Sequence, residues 1–336
     1  MKPFLSLRKN GIWYIVETRP NGKRTWTTTK KKNRREAERA LIAYEERSRA
    51  RTDSPFLTHF TDEILQHTVA TFAHSTMQLY RDALRALIGQ VGDIPISMIT
   101  GRDVDRYKTA RVRRVKPITV NKELSTLKAA FNIAVRWDYI ETNPFVGVTR
   151  LRIPEKPPEY FTREEVRMLE EETGGEWLHD LIVLAVNTGM RAGELTSLRW
   201  QNVDLNRRII HVVSSGDFKT KTGRARIVPL NARACALLAE RRGRGEDYVL
   251  TMYGRQIRKN WVSSAFKKIV RRLELRDELH FHSLRHTFAS WLVQDGVSLY
   301  QVGRLLGHST ARTTEVYAHL QPETMHDVVE RLMDSS

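Results

Sequence analysis

The stretch Leu279–His319 constrains this chain more than any other. It carries His282, Arg285, His308 and Tyr317 and is broken by the turn-forming Gly296 and Gly307, a pattern that predicts three short helices folded back on one another. His282 and Arg285 lie three residues apart, so they are neighbours on one helical face and reach the same anion. Folding the stretch back therefore gathers two imidazoles, a guanidinium and a phenol into one pocket. Tyr317 stands there as a candidate nucleophile.

Charge narrows what such a pocket would act on. The 336 residues hold 56 Lys and Arg against 39 Asp and Glu, a formal net charge of +17. Lysine and arginine gain free energy by displacing counterions from nucleic acid, so the balance favours a polyanion partner. An acidic membrane surface would suit the charge as well. However, the longest apolar run, Leu181–Val186, falls far short of the ~20 residues of a spanning helix and reads as a buried helix. The N-terminus MKPFLSLRKNG lacks a signal-peptide core. The single cysteine, Cys235, rules out an internal disulfide, which together suggest a cytoplasmic protein, and its setting in Ala-Cys-Ala-Leu-Leu reads as packing.

Four motifs in a fixed order carry a resemblance to the tyrosine recombinase family, the phage-type integrases. They are Thr188-Gly189-Met190-Arg191-Ala192-Gly193-Glu194-Leu195, then His282-Ser283-Leu284-Arg285-His286, then Leu306-Gly307-His308, and finally Tyr317. The resemblance implies a catalytic set of Arg191, His282, Arg285, His308 and Tyr317, with Glu194 supporting Arg191 and His286 in an accessory place. It also implies a catalytic lysine in the hairpin Asp217–Arg226, where counting back from Pro229 favours Lys221 over Lys219. No cofactor and no metal are implied. The implied partner is double-stranded DNA at arm-type and core sites, bound by a homotetramer on paired sites, with a DNA-bending or directionality factor as a further partner. Integration or excision of a mobile element or prophage is the expected outcome, in the cytoplasm and associated with the nucleoid.

The chemistry follows from the residue types. A phosphodiester attacked by a phenol gathers negative charge on its non-bridging oxygens, and two permanently charged, bidentate guanidiniums, Arg191 and Arg285, stabilise it without a metal. Tyr317, with an ordinary pKa near ~10, must lose its proton as it attacks, and His282 is the expected acceptor. His308 is expected to donate a hydrogen bond to the phosphate. The departing 5′ oxygen is a poor leaving group as an alkoxide, which is why a general acid such as Lys221 belongs in the set.

The rest of the chain reads as three modules and a tether. Residues 1–55 hold fifteen Lys and Arg against six Asp and Glu. They predict strands around Gly11–Val16 and Lys23–Thr29 followed by a helix over 35–49, with Trp13 and Trp26 packed on it. This resembles an arm-type DNA-binding domain, with Lys23, Arg24, Lys30, Lys31 and Lys32 as candidate contacts. Residues 56–150 predict helices with apolar faces: one after a capping box at Ser75–Gln78, one begun by Thr100–Asp103, and one from Thr119 that stops at Asn143-Pro144. They match a helical core-binding domain, where Arg111, Arg113, Arg114, Lys116, Lys122 and Lys128 are available to phosphate.

Prolines in Arg152–Pro158 deny helix and mark a tether over 151–158. A catalytic domain of α+β type, residues 159–336, then opens with a capping box and hydrophobic staple over Phe161–Val166. It continues through a buried helix from Trp177 and a small antiparallel sheet around Ile209–Val213 and Ile227–Leu230. Beyond a strand at Tyr248–Thr251 comes a basic helix from about Gln256 to Leu273, whose Arg258 and Lys259 are further candidate DNA contacts. The fold class expected is mainly α and multidomain.

Several of these residues also have blander roles open to them. Among ten tyrosines, Tyr300 is expected to be a packing residue. His280, His282 and His286 invite a metal, but no carboxylate or cysteine completes the set at a familiar spacing. Two rival functions use the same residues: type IB topoisomerase-like strand relaxation, and a DNA-binding regulator whose pocket is a relic.

Overall fold

The computed structural model describes residues 2–18, 24–52, 54–154, 156–213, 225–242 and 247–322. The chain divides into two compact units, Met1–Pro154 and Glu155–Ser336. Residues 151–154 and 156–162 carry no helix or strand.

In the first unit, alternation near the N-terminus produces an antiparallel sheet of β1 (Phe4–Leu7), β2 (Trp13–Thr18) and β3 (Arg24–Thr28), with Phe4 opposite Val16 and Val16 opposite Trp26. The helix α1 (Arg34–Thr52) covers β1 and β2, where Ile15, Val16 and Ala37 are buried. Trp26 does not pack on the helix as expected. It sits on the edge strand, 42% exposed, with the Arg8 guanidinium 4.3 Å from its ring centroid, and a cation over an indole face supplies the contact the helix does not reach.

Four helices follow: α2 (Leu57–Thr71), α3 (His74–Val91), α4 (Gly101–Val112) and α5 (Pro117–Arg136). Their inward faces show helical spacing, as in Met77, Tyr80, Leu84 and Leu87 of α3, and Phe60, Leu84, Leu87, Tyr107, Leu127 and Phe131 share one core. Thr100 and Asp103 form a capping box that starts α4. The box expected at Ser75–Gln78 is absent, because α3 begins two residues earlier than that box would start it, behind Ala73, and takes Ser75 and Gln78 into the helix. The last helix stops at Arg136, short of Asn143: the backbone turns left-handed at Asp138 (φ 59), and the Asn143 side chain ties the next turn by accepting from the Phe145 N–H at 2.8 Å. Arg111 is also removed from the phosphate contacts, since it pairs with the carboxylate of Glu123, to which Tyr107 donates at 2.7 Å.

The second unit opens with α6 (Arg163–Glu172), whose Thr162/Glu165 capping box forms as expected while Phe161 and Val166 enter one core. Next, α7 (Trp177–Thr188) buries every residue from Leu181 to Val186, as an all-apolar helix must. After α8 (Ala192–Thr196) the strands β4 (Val203–Asp204), β5 (Ile209–Val212) and β6 (Arg226–Pro229) pair antiparallel, with Ile210 opposite both Val203 and Val228.

Then come α9 (Ala232–Arg241), a small hairpin of β7 (Thr251–Met252) and β8 (Arg255–Gln256), and α10 (Lys259–Arg272). The strand expected over Tyr248–Thr251 starts only at Thr251, because Tyr248 bridges to Arg199 instead. Three short helices, α11 (Ser283–Gln294), α12 (Leu299–Leu306) and α13 (Arg312–Glu315), close the unit, and α11 packs on α7. Tyr300 is 75% exposed rather than packed, since Val302 and Leu306 take the inward face of α12. Among the described residues, no helix is long and apolar enough to cross a membrane. The architecture is mainly α with small antiparallel sheets, the class expected.

Candidate active site

Two glycine turns bring the charged groups together. The helix α7 ends at Gly189 in the left-handed region, φ 63. A β carbon there would lie 2.5 Å from Phe288 and 2.8 Å from Leu306, so only glycine lets the chain turn this close to α11 and α12. The turn buries Met190 and leaves Arg191 as the residue capping α8. It also aims the Gly189 carbonyl at Arg285, whose Nη1 donates to it at 2.7 Å while Nη2 donates to the Leu306 carbonyl at 2.6 Å. Arg285 is 3% exposed. Among the described residues it makes no ion pair with a carboxylate, so burial and the neighbouring charge of Arg191 both disfavour its cation. A buried, unneutralised guanidinium recovers that cost when an anion arrives.

The other arginine is held differently. Arg191 Nη1 donates to Glu194 Oε1 at 3.0 Å, and the Arg191 backbone N–H donates to Oε2 at 2.8 Å. Burial of Glu194 works to raise its pKa, but hydrogen bonds and charge from Arg226, with the N–H and charge of Arg191, outweigh it and hold the carboxyl down to about 2. Glu194 is therefore a fixed anion beside Arg191, with no proton to give at neutral pH.

The second glycine, Gly307, ends α12 with φ 68 and hands His308 to the same side. His308 Nδ1 bonds the Thr314 hydroxyl at 2.8 Å, which leaves Nε2 for another partner. Four residues of α13 then turn the chain to Tyr317, which is 2% exposed and packs with Ala289, Val293, Val302 and Leu306. Its hydroxyl and His286 Nδ1 lie 2.6 Å apart in a hydrogen bond. The phenol's partner is thus His286, not the expected His282, whose ring stands edge-on to that of His286 with centroids 5.0 Å apart.

Arg191, His282, Arg285, His286, His308 and Tyr317 all line one cleft of about 680 Å³. Burial pushes the Tyr317 phenol up to about 12 against the pull of Arg285. Burial, followed by the field of nearby cationic groups, pushes His286 and His308 down to about 4. His282 reaches the cleft water yet is shifted the same way, by desolvation and then by His286 and Arg285. At neutral pH the imidazoles of His282, His286 and His308 are therefore neutral and the Tyr317 phenol keeps its proton, beside the two guanidiniums. Among the described residues, no three His, Cys, Asp or Glu side chains could hold a metal ion.

Lys219, Lys221 and Lys23 lie outside the described residues. Arg24, Lys30, Lys31 and Lys32 are exposed, with Lys31 3.4 Å from Glu36, and Arg113, Arg114 and Lys122 are exposed at the turn and first helical turns after α4. Arg258 is exposed over Trp261, while Lys259 reaches the cleft itself. Arg226, absent from the residues expected at the site, has a side chain that is 11% exposed and paired with Glu194. A signal for it existed: alternation in β6 places it on the same face as buried Val228, and an inward arginine needs a buried acid.

Comparison with known proteins adds to this geometry. The phage integrase family pattern matches residues 161–324, and that of the phage integrase N-terminal domain matches residues 53–152. Tyrosine recombinase XerC of Xanthomonas campestris pv. campestris (strain B100) is 30% identical over 279 residues, covering 79% of this chain and 83% of that protein. In fold, the chain is similar to the Tn1549 transposon integrase in complex with a circular intermediate DNA, with a TM-score of 0.69, 20% identity, and coverage of 84% of this chain and 100% of that one. A lambda integrase tetramer bound to a Holliday junction gives a TM-score of 0.66 at 22% identity, with coverage of 91% and 96%.

Proposed function

We propose, starting from the fact that this chain belongs to the phage integrase family of tyrosine recombinases, that it is a site-specific recombinase of a mobile element or prophage. It cuts DNA through a covalent 3′-phosphotyrosine and rejoins the ends. The observation that carries the reading is the convergence of both arginines, three histidines and Tyr317 on one cleft. Arg285, buried and without a carboxylate partner among the described residues, favours a site that receives an anion over a relic pocket.

In this reading Arg191 and Arg285 take the non-bridging oxygens of the scissile phosphate, and His308 donates to one of them. The Tyr317 oxygen attacks phosphorus and the bond to the 5′ oxygen breaks. The phenolic proton passes to the neutral His286–His282 pair, and the 5′ oxygen leaves with a proton from Lys221. The phosphodiester's energy stays in the tyrosyl linkage. A 5′ hydroxyl from the second duplex reverses the step, so no nucleotide is hydrolysed.

Residues 1–55 serve as an arm-type DNA-binding domain, 56–150 as the core-binding domain, 151–158 as the tether and 159–336 as the catalytic domain. Arg24, Lys30, Lys31, Lys32, Arg113, Arg114, Lys122, Arg258 and Lys259 contact phosphate, as does Lys23. Four copies act on paired sites, a reading that the lambda integrase tetramer on its junction supports. The test is covalent capture from a pool of nicked duplexes of random sequence, in which the released fragment diffuses away and traps the intermediate. A sequence-selective adduct is expected. Binding without any adduct would favour the regulator, and unselective relaxation of plasmid would favour the topoisomerase.

A further inference from the structure

Glu194 is shared by two arginines, and the shares are unequal. Arg226 grips it bidentately, Nη1 to Oε1 at 2.8 Å and Nη2 to Oε2 at 2.7 Å. Arg191 contributes one side-chain bond and one backbone bond. Those four donors fill the four lone-pair sites of a carboxylate. Arg226 is fixed from a third side as well, because its Nε donates to the Leu305 carbonyl at 3.3 Å and its Cδ lies where a β carbon on Gly307 would come within 2.6 Å. It therefore ties the first residue of β6 to the turn that positions His308, one residue before the Leu306 carbonyl that receives Arg285. Arg191 lines the cleft and Arg226 does not.

We propose that Arg226 is a positioning residue that carries the charge of Glu194, so that the charge of Arg191 is left for the scissile phosphate. The inference rests on the recombinase reading above. The charge balance is why it matters: one buried carboxylate with one guanidinium is neutral, and Arg191 alone with Glu194 would close into a bidentate pair that offers the phosphate its remaining N–H donors but no net positive charge. With Arg226 present the neutral pair is Arg226–Glu194, and Arg191 remains a cation steered by its single bond to Oε1. A buried Arg–Glu–Arg triad contributes little net stability compared with a well-packed apolar one. Its use here is the spare positive charge it directs at the cleft.

The test compares single-turnover cleavage of a captured nicked duplex with cleavage of the same duplex carrying a methylphosphonate, whose uncharged methyl group replaces one non-bridging oxygen. Full-length wild type, Arg226→Ala and the double variant Arg226→Ala/Glu194→Gln are measured on both, below each variant's melting temperature. Arg226→Ala is expected to cleave the phosphodiester ~10–100-fold more slowly while losing only a few-fold on the methylphosphonate, which makes less demand on the charge of Arg191. The double variant, which leaves no buried carboxylate behind, keeps the fold and recovers most of the phosphodiester rate. Equal losses of Arg226→Ala on the two substrates, no loss on either, or a folded double variant as slow as the single one would overturn the proposal. No adduct from wild type on any duplex would instead bring down the reading on which it rests.

Discussion

Replacing Gly189 with alanine tests whether one turn holds the site together. At φ 63 an L residue is strained by ~1–2 kcal/mol. The new methyl would also meet Phe288 Cδ1 at 2.5 Å and Leu306 Cδ2 at 2.8 Å, and forcing such overlaps apart in a packed core costs a further ~1–3 kcal/mol. The sum, roughly 2–5 kcal/mol, is a large part of the ~5–15 kcal/mol that holds a domain folded. Gly175→Ala supplies the control: its φ is 79 but nothing lies within 4 Å of the added carbon, so it carries the strain without the overlap.

Urea unfolding of the full-length variants, followed by tryptophan fluorescence, gives both losses from the shift in midpoint. The expected result is that Gly189→Ala loses at least ~1 kcal/mol more than Gly175→Ala. Cleavage by the folded Gly189→Ala protein should also fall ~10-fold or more, because the carbonyl that receives Arg285 moves. Equal midpoints for the two variants, with cleavage unchanged in Gly189→Ala, would refute the claim that this close approach builds the arginine clamp.

Other outcomes follow from the same geometry. Stability should fall in acid: the imidazoles of His286 and His308 sit near 4 instead of 6.5, so below about 6.5 the unfolded chain takes up protons that the folded one refuses, and the contribution is lost as pH drops toward 4. The arithmetic limit is about 3 kcal/mol for each, less the share that cleft water screens, and urea midpoints that stay flat from pH 7 to pH 5 would contradict it. Lys221→Ala should be rescued by a 5′-bridging sulfur, a leaving group that needs no proton; rescue of Lys219→Ala instead would move the general acid to that residue. Arg111→Ala should cost the Met1–Pro154 unit a few kcal/mol by leaving the Glu123 carboxylate without its counter-charge and with the Tyr107 hydroxyl as its remaining donor, measured by its melting temperature, and a loss of DNA affinity with no loss of stability would show that Arg111 binds DNA after all.

Much of this was legible in the chain. Helical spacing and the turns at Gly296 and Gly307 were enough to gather His282, Arg285, His308 and Tyr317 in one place, whereas Arg191 and His286 came in through the resemblance to the tyrosine recombinases. Apolar periodicity found α3, α5 and α7. Boundaries were less readable: a left-handed Asp138 ended α5 where the sequence offered Asn143-Pro144, and α3 began without any capping side chain. Partner choice was the least legible. Whether the phenol meets His282 or His286 depends on how α13 returns the chain to α11, a tertiary distance that no spacing within the second box encodes. Arg226 was hidden for a similar reason, since its acid lies 32 residues away on another element. Tyr300 misled because a tyrosine on a short amphipathic helix looks like packing until Val302 and Leu306 claim the inward face.

The most direct measurement digests the trapped protein–DNA adduct and locates the modified residue by mass spectrometry, with Tyr317→Phe run beside it. The expected product is a nucleotide joined through its 3′ phosphate to the Tyr317 oxygen and, in the phenylalanine variant, unchanged DNA affinity with no adduct. An adduct on any other residue, or one that persists without the Tyr317 hydroxyl, would contradict it.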